Sequence, residues 1–279
     1  MRPKQWMKNL LVASVPLAAG RLFEQKIVWQ LGFAFIVFVL ASAGTYVFND
    51  LRDADRDRQH PQKRHRPLAC GDVKPTSAAW LGTILVILSL GLPIWTREFK
   101  LLGLIALYLG IQFFYQFGWK SVPIVEVFLV ASGFVIRAVA GGAAAGIYPT
   151  PWFLSVVASG SLFVVSAKRF SESVAMGMSS TTRDVLIHYT DSYLRSLWTI
   201  ALTCSIVFYA LWAVEVQSTR ESGMASSLLS VAPFSALLLR YAMFANEGKA
   251  ESPEDLIVND GLIRVLGVCW LATYWLHLI

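Results

Sequence analysis

Apolar residues gather into nine long stretches along the chain, at about 5–20, 27–50, 75–95, 99–117, 122–146, 151–174, 191–215, 224–244 and 260–278. Most approach the roughly 20 apolar residues that a helix needs to cross the hydrocarbon of a bilayer. No stretch shows the period-two alternation of a barrel strand. A helix is also the element that satisfies its own backbone in lipid. The pattern therefore predicts an all-α, polytopic membrane protein with nine transmembrane helices. The first segment is the shortest and is expected to be tilted or partly interfacial. Between the apolar stretches lie short connections, such as 96–98 and 147–150, and two long polar loops, 51–74 and 168–190. There is no internal repeat and no low-complexity tract.

Composition sharpens this picture. Of 279 residues, 56% are hydrophobic and only 15% charged, against about a quarter charged in ordinary soluble domains. That excludes a disordered chain and argues against a soluble enzyme. Ten Trp and nine Tyr suit two interfacial belts. The net charge of +6 favours anionic partners, namely phosphates and the headgroups of acidic membrane lipids. It does not indicate nucleic acid, because the charge sits in short loops between apolar spans. Cys70, Cys204 and Cys269 are too scattered for a disulfide framework or a zinc site. The basic start MRPKQWMKN leads into an apolar run with no small-x-small cleavage site, so it reads as a first membrane helix rather than a signal peptide.

Lys and Arg divide unequally between the two sides. Fifteen fall to the face carrying the N-terminus, the two long loops, Lys120 and Lys249, against five (Arg21, Lys26, Arg97, Lys100, Arg220) on the other. The positive-inside rule puts the richer face in the cytoplasm. The expected location is the plasma (inner) membrane, with the N-terminus and both long loops cytoplasmic. Chemistry on a soluble charged substrate belongs at that face.

The densest chemistry follows the second span: Asn49, Asp50, Asp53, Asp55 and Asp57. If the helix continues past Asn49, each residue turns it by about 100°. Measured round from Asn49, Asp50 then falls at about 100°, Asp53 at about 40° and Asp57 at about 80°, all on one face, while Asp55 falls at about 240°. Three carboxylates and an amide on one face repel one another unless a cation lies among them. An all-oxygen set suits Mg²⁺, which is usually shared with substrate phosphates and can neutralise a diphosphate leaving group. The competing reading is a solvated acidic helix end salt-bridged to the interleaved arginines, but acids this near the membrane are costly unless they serve a function. Downstream, His60, Pro61, Lys63, Arg64, Arg66 and Pro67 supply helix-ending prolines and bases for phosphate or lipid headgroups.

The sixth span ends in Lys168, Arg169 and Glu172. On a helix, Arg169 lies about 100° and Glu172 about 40° round from Lys168. The bases suit a phosphate and Glu172 a metal or a sugar hydroxyl; cytoplasmic anchor charges are the plain alternative. Arg183, Tyr189 and Asp191 stand nearby as secondary contacts. Arg137 lies near the middle of the fifth span, on the same face as Glu126 about 16 Å away along the axis. A buried ion pair and a phosphate contact both suit it. The stretch Ala140 to Gly146 is small enough for close helix contact. Lys8 and Asn9 follow Trp6, an interface anchor, and are further candidates at the cytoplasmic end.

These residues resemble a known family. NDxxDxxxD (Asn49, Asp50, Asp53, Asp57) after the second span is similar to the first acidic motif of the UbiA superfamily of intramembrane prenyltransferases. RPxQWxKN (Arg2 to Asn9), NDxxDxxxDxxHPxKxxRP (Asn49 to Pro67), SGFVIRAVAGG in the fifth span and KRxxE in the sixth resemble its decaprenyl-phosphate phosphoribosyltransferase branch. The likeness extends over nearly the whole chain and implies one transmembrane domain, 1–279, with a central cavity open to the cytoplasmic face. One departure matters. Members using prenyl diphosphates carry a second DxxxD motif after the sixth helix, where this chain has Lys168, Arg169 and Glu172; Asp184 and Asp191 are wrongly spaced. Bases in place of acids suit a donor with an additional phosphate.

The resemblance thus implies Mg²⁺-dependent transfer of 5-phosphoribose from phosphoribosyl pyrophosphate to a polyprenyl (decaprenyl) phosphate, feeding arabinan synthesis in a mycobacterial-type cell wall. Asp50, Asp53 and Asp57 are the expected catalytic residues and, with Asn49, the metal ligands. Lys168 and Arg169 are the leading phosphate contacts. Lys8, Asn9, Lys63, Arg66, Arg137, Glu172 and Tyr189 are the others expected at the substrates. The alternatives are a prenyltransferase joining a prenyl diphosphate to an aromatic acceptor and, from another class, a lipid-phosphate transporter. A homo-oligomer is compatible with the leading reading as with the alternatives.

Overall fold

The computed structural model describes residues 3–59, 63–176, 184–218 and 226–278. Every regular element among the described residues is helical: α1 (Ser14–Ala18), α2 (Gln25–Gln59), α3 (Pro75–Trp95), α4 (Phe99–Gln116), α5 (Val125–Ala145), α6 (Pro151–Met176), α7 (Asp191–Ser218), α8 (Ser226–Leu229), α9 (Val231–Asn246), α10 (Pro253–Asn259) and α11 (Gly261–Leu278), with short 3₁₀ turns between some of them. Seven of the described helices are long and apolar enough to cross a membrane, and α10 with α11, bent by 91° at their junction, make an eighth if counted as one broken span. Large apolar side chains such as Trp29, Trp80 and Trp95 are exposed, as lipid-facing surfaces require.

The expected first span is the element that departs from the pattern. Pro3–Ala13 is an 11-residue 3₁₀ helix, continued by the five residues of α1 and ended at Gly20, whose φ of 71° is a left-handed conformation glycine adopts without strain. The ninth segment begins with the bend at Asp260, where the Asp260 carboxylate caps the Ile263 N–H at 2.7 Å and pairs with Arg240 at 2.8 Å.

The chain forms two compact units. The first comprises 1–122 and 136–148, and the second 123–135 and 149–279. In the first, α2 packs along α3. Gly44 permits this: a Cβ there would stand 2.8 Å from Val86 Cγ2 and 3.1 Å from the Gly82 carbonyl. Val37, Phe38 and Ala41 of α2, Leu101, Ile105 and Tyr108 of α4, and Ile136 and Ala140 of α5 form its core together with Val12. Gly141 lies directly against the backbone of Val12, where a Cβ would run into the carbonyl. The small-residue stretch in the fifth span therefore does seat a close neighbour.

In the second unit, α6 and α7 lie side by side. Phe163, Ala167 and Phe170 of α6, Leu194, Trp198 and Ala201 of α7, and Tyr241, Ala242 and Ala245 of α9 form its core. The first turns of α5 pack there too, through Val127 and Ala131 against Val165.

Candidate active site

In the first unit, α2 continues unbroken to Gln59, well past the end of its apolar run. This continuation puts Asp50, Asp53 and Asp57 on one face. Their side chains are 19%, 23% and 7% exposed, whereas Asp55 is 91% exposed and pairs with Arg58 at 2.6 Å. Asn49 precedes them on the same helix and is half-buried.

Each of the three acids meets a base. Arg66, just after the 3₁₀ turn Lys63–His65, places Nη1 2.5 Å from Asp57 Oδ2 and 3.4 Å from Asp50 Oδ1. Lys120, in the turn between α4 and α5, places Nζ 2.8 Å from Asp53 Oδ1. That turn is opened by Gly118, whose φ of 128° is available essentially to glycine alone. From the sequence, Lys120 is only one of the charges assigned to the cytoplasmic face. No local signal links it to Asp53, because the two are 67 residues apart.

Asp50 and Asp57 thus share Arg66, while Asp53 meets Lys120. Among the described residues, no three His, Cys, Asp or Glu side chains converge on a common point. The donor chemistry nevertheless fits Mg²⁺: carboxylate oxygens aligned on one helix face, part-buried and already drawing cations. His60 and Pro61 lie outside the described residues, as does the Lys63 side chain.

Deeper in the first unit, Arg137 is buried, 5% exposed. Its Nε donates to Asn9 Oδ1 at 2.7 Å and Nη2 to the Tyr108 hydroxyl at 3.1 Å. Asn9, wholly buried, also donates from Nδ2 to Ser42 Oγ at 3.3 Å. The guanidinium lies 4.7 Å from the Tyr108 ring centroid and 5.7 Å from that of Phe38, so aromatic faces share its charge. Of the two roles read for Arg137, a buried ion pair and a phosphate contact, the contacts shown match neither: they are hydrogen bonds to neutral Asn9 and Tyr108 and contacts with aromatic faces. Lys8, next to Asn9, is half-buried and makes interactions of its own.

The second unit carries the KRxxE residues. Arg169 is 3% exposed and makes a two-pronged ion pair with Glu126, which is fully buried: Nε–Oε1 2.8 Å and Nη2–Oε2 3.0 Å. Its Nη1 reaches Glu172 Oε2 at 2.9 Å. Lys168 is half-buried and also engaged. Tyr189 is buried, and its hydroxyl accepts a hydrogen bond from the Ile124 N–H. Burial, above all, pushes the Tyr189 phenol above its ordinary value. Asp191 accepts from Ser173 Oγ at 2.7 Å, and Arg183 lies outside the described residues. Glu126 as the partner of Arg169 is the second residue whose role the sequence did not disclose.

Comparisons with known proteins identify the family. The sequence profile of the UbiA prenyltransferase family matches residues 10–256. A decaprenyl-phosphate phosphoribosyltransferase of Corynebacterium glutamicum is 39% identical over 275 residues, covering 97% of this chain and 83% of that protein. One from Mycobacterium tuberculosis H37Rv is 38% identical over 278 residues, covering 98% and 91%. Among solved structures, a UbiA homolog from Archaeoglobus fulgidus bound to DMAPP and Mg²⁺ superposes with a TM-score of 0.73 at 16% identity, covering 99% of this chain and 96% of that one. The apo UbiA homolog from Aeropyrum pernix gives 0.70, also at 16%, with both chains covered in full. By family profile and by relatives matched over nearly its whole length, the chain belongs to the UbiA prenyltransferase family.

Proposed function

We propose that the protein transfers 5-phosphoribose from phosphoribosyl pyrophosphate to decaprenyl phosphate, releasing diphosphate, at the cytoplasmic face of the membrane. The observation carrying this reading is near full-length similarity, at 38–39% identity, to proteins named for that reaction. The replacement of a second acidic motif by Lys168, Arg169 and Glu172 supports it, because this donor carries one phosphate more than a prenyl diphosphate.

In the reaction the bond between ribose C1 and the diphosphate oxygen breaks. The electron pair leaves with diphosphate, positive charge develops on the sugar, and an oxygen of the lipid phosphate closes on C1. A phosphate is already ionised near neutral pH, so no strong general base is required. Mg²⁺, which Asn49, Asp50, Asp53 and Asp57 would hold, supplies neutralisation of the departing diphosphate. Arg66 and Lys120 bring fixed positive charge beside the same carboxylates, and phosphate oxygens are their natural anionic ligands. Lys8, Lys63 and Lys168 are proposed as further phosphate contacts and Glu172 as an acceptor for ribose hydroxyls. Asn9, Arg137, Arg169 and Tyr189, expected from sequence to touch substrate, are proposed to serve instead by tying together the elements that carry those contacts.

The whole chain is proposed to act as one domain with nine passes, a cytoplasmic N-terminus and a cavity opening to that side. The charge count supports the orientation. For the first pass, eleven 3₁₀ residues at about 2.0 Å each and five α residues at about 1.5 Å each come to about 30 Å, the thickness of the hydrocarbon.

The test incubates purified protein with Mg²⁺, labelled phosphoribosyl pyrophosphate and decaprenyl phosphate. Label should enter the lipid fraction with one diphosphate released per transfer. Label that stays in the aqueous phase overturns the proposal. So does release of diphosphate from a prenyl diphosphate, with an aromatic acceptor, in place of that transfer.

A further inference from the structure

The best-buried carboxylate of the second unit has no part in the chemistry above. Glu126 is 0% exposed and stands in the first turn of α5. An ionised group so placed is expensive unless fully partnered, and Arg169 provides that partnership. The guanidinium turns its Nε/Nη2 edge to Glu126, at 2.8 and 3.0 Å, and its remaining amino group, Nη1, to Glu172 at 2.9 Å. A guanidinium is planar, so a two-pronged contact on one edge fixes where the other amino group points. Lysine has no such geometry.

Glu126 itself has little room to move. Ile124, two residues earlier, has φ of 67°, a region that β-branched residues avoid. Its N–H is held by the Tyr189 hydroxyl. The chain at the start of α5 is therefore secured from two sides: Arg169 of α6 grips Glu126, and Tyr189, following the 3₁₀ turn Asp184–His188, grips Ile124.

We propose that Glu126 is a positioning residue for the phosphoribosyl donor: through Arg169 it fixes the carboxylate of Glu172 in the orientation that receives the ribose hydroxyls. This rests on the transfer reaction proposed above. With both its edges engaged by carboxylates, Arg169 serves as the link and Lys168 as the phosphate contact of the KRxxE sequence. Glu172, 14% exposed, is the member of the chain Glu126–Arg169–Glu172 that retains surface.

The experiment compares the wild type, E126Q, E172Q and the double variant in the transfer assay, varying each substrate in turn. E126Q keeps the volume of the side chain but removes the charge that orients the guanidinium. It should raise KM for phosphoribosyl pyrophosphate by about tenfold, the low end for losing an outer supporting partner, and leave KM for decaprenyl phosphate within about twofold. Because Glu126 acts through Glu172, adding E126Q to E172Q should cost little more. Losses that multiply in the double variant, equal rises in both KM values, or an E126Q enzyme indistinguishable from wild type would overturn the proposal. R169K retains the charge without the fork and should show the same selective rise. It decides the matter should E126Q not elute as a folded protein on size exclusion. A wild type that moves no label from phosphoribosyl pyrophosphate refutes the transferase reading itself, whereas an active wild type with multiplying losses refutes only the role of Glu126.

Discussion

Asp53 and Asp55 stand two residues apart in the same helix and offer the sharpest test of the acidic face. Asp53 is 23% exposed with Lys120 at 2.8 Å; Asp55 is 91% exposed, and its partner Arg58 is itself 56% exposed. If the face with Asp50 and Asp57 holds the Mg²⁺ that would neutralise a departing diphosphate, Asp53→Ala removes one of the oxygen ligands expected to hold that ion. Losing even an outer supporting partner of a metal ligand costs about 10–100-fold, so losing a ligand itself should cost about a hundredfold or more in kcat. Asp55→Ala removes an exposed ion pair worth about 0–1 kcal/mol of stability and nothing in the reaction. The expected separation between the two variants is therefore about a hundredfold or more. The assay is incorporation of label into lipid at saturating substrates, with thermal unfolding in detergent as the check on folding. Asp53→Asn, which keeps the shape and loses the charge, should follow Asp53→Ala. Variants at 53 and 55 with rates within about fivefold of each other would show that the helix face is not what the reaction uses.

Gly141→Ala should unfold or strongly destabilise the protein, because its Cβ would meet the Val12 carbonyl and stand 2.8 Å from Val12 Cα; overpacking of that kind costs about 3 kcal/mol or more. Gly110→Ala, in α4 with nothing within 4 Å of the new Cβ, should leave the melting temperature unchanged or raise it, by up to about 1 kcal/mol of stability. Arg137→Lys should lose about 1.5–3 kcal/mol, since one ammonium cannot reach Asn9 and Tyr108 along the directions the guanidinium uses; a melting temperature equal to wild type would contradict this. Tyr189→Phe leaves the Ile124 N–H without its acceptor and should cost about 1–3 kcal/mol. The phenol is held above its ordinary value by burial, so it stays protonated at neutral pH and this contribution should not vary between pH 6 and 9.

The long helices were legible because hydrophobic length is a property of consecutive residues. α3, α5, α6 and α7 begin and end within a few residues of the apolar runs that predict them. The departures occur where a polar or special residue interrupts such a run. The segment ending near Gly20 is apolar enough in sequence, but it winds as a 3₁₀ helix over Pro3–Ala13 and carries a buried amide, Asn9, committed to Arg137 and Ser42. At the other end of the chain, the run from 260 is α11, and the 91° bend that joins it to α10 lies at its start. Asp260 is an ordinary capping residue by type. That it also anchors Arg240 of α9 depends on a neighbour 20 residues away, which no local pattern contains.

The site divides along the same line. A helix sets the relation among Asn49, Asp50, Asp53 and Asp57 by itself, so their common face, and the outward turn of Asp55, follow from spacing alone. The bases that meet those acids come from other elements, and only Arg66 was nominated. The charged residues of the fifth and sixth spans show the limit most clearly. Glu126 and Arg137 share a face of α5 but stand about 16 Å apart along it, and each finds its partners on other elements: Glu126 with Arg169, and Arg137 with Asn9 and Tyr108. Periodicity states which way a side chain points but not what it meets. For charged groups in an apolar setting the meeting decides the role, because a buried guanidinium whose prongs are taken by protein carboxylates holds structure, and one left with an open edge binds anions. That distinction is why Arg169 is proposed as part of the scaffold and Lys168, its neighbour in sequence, as the phosphate contact.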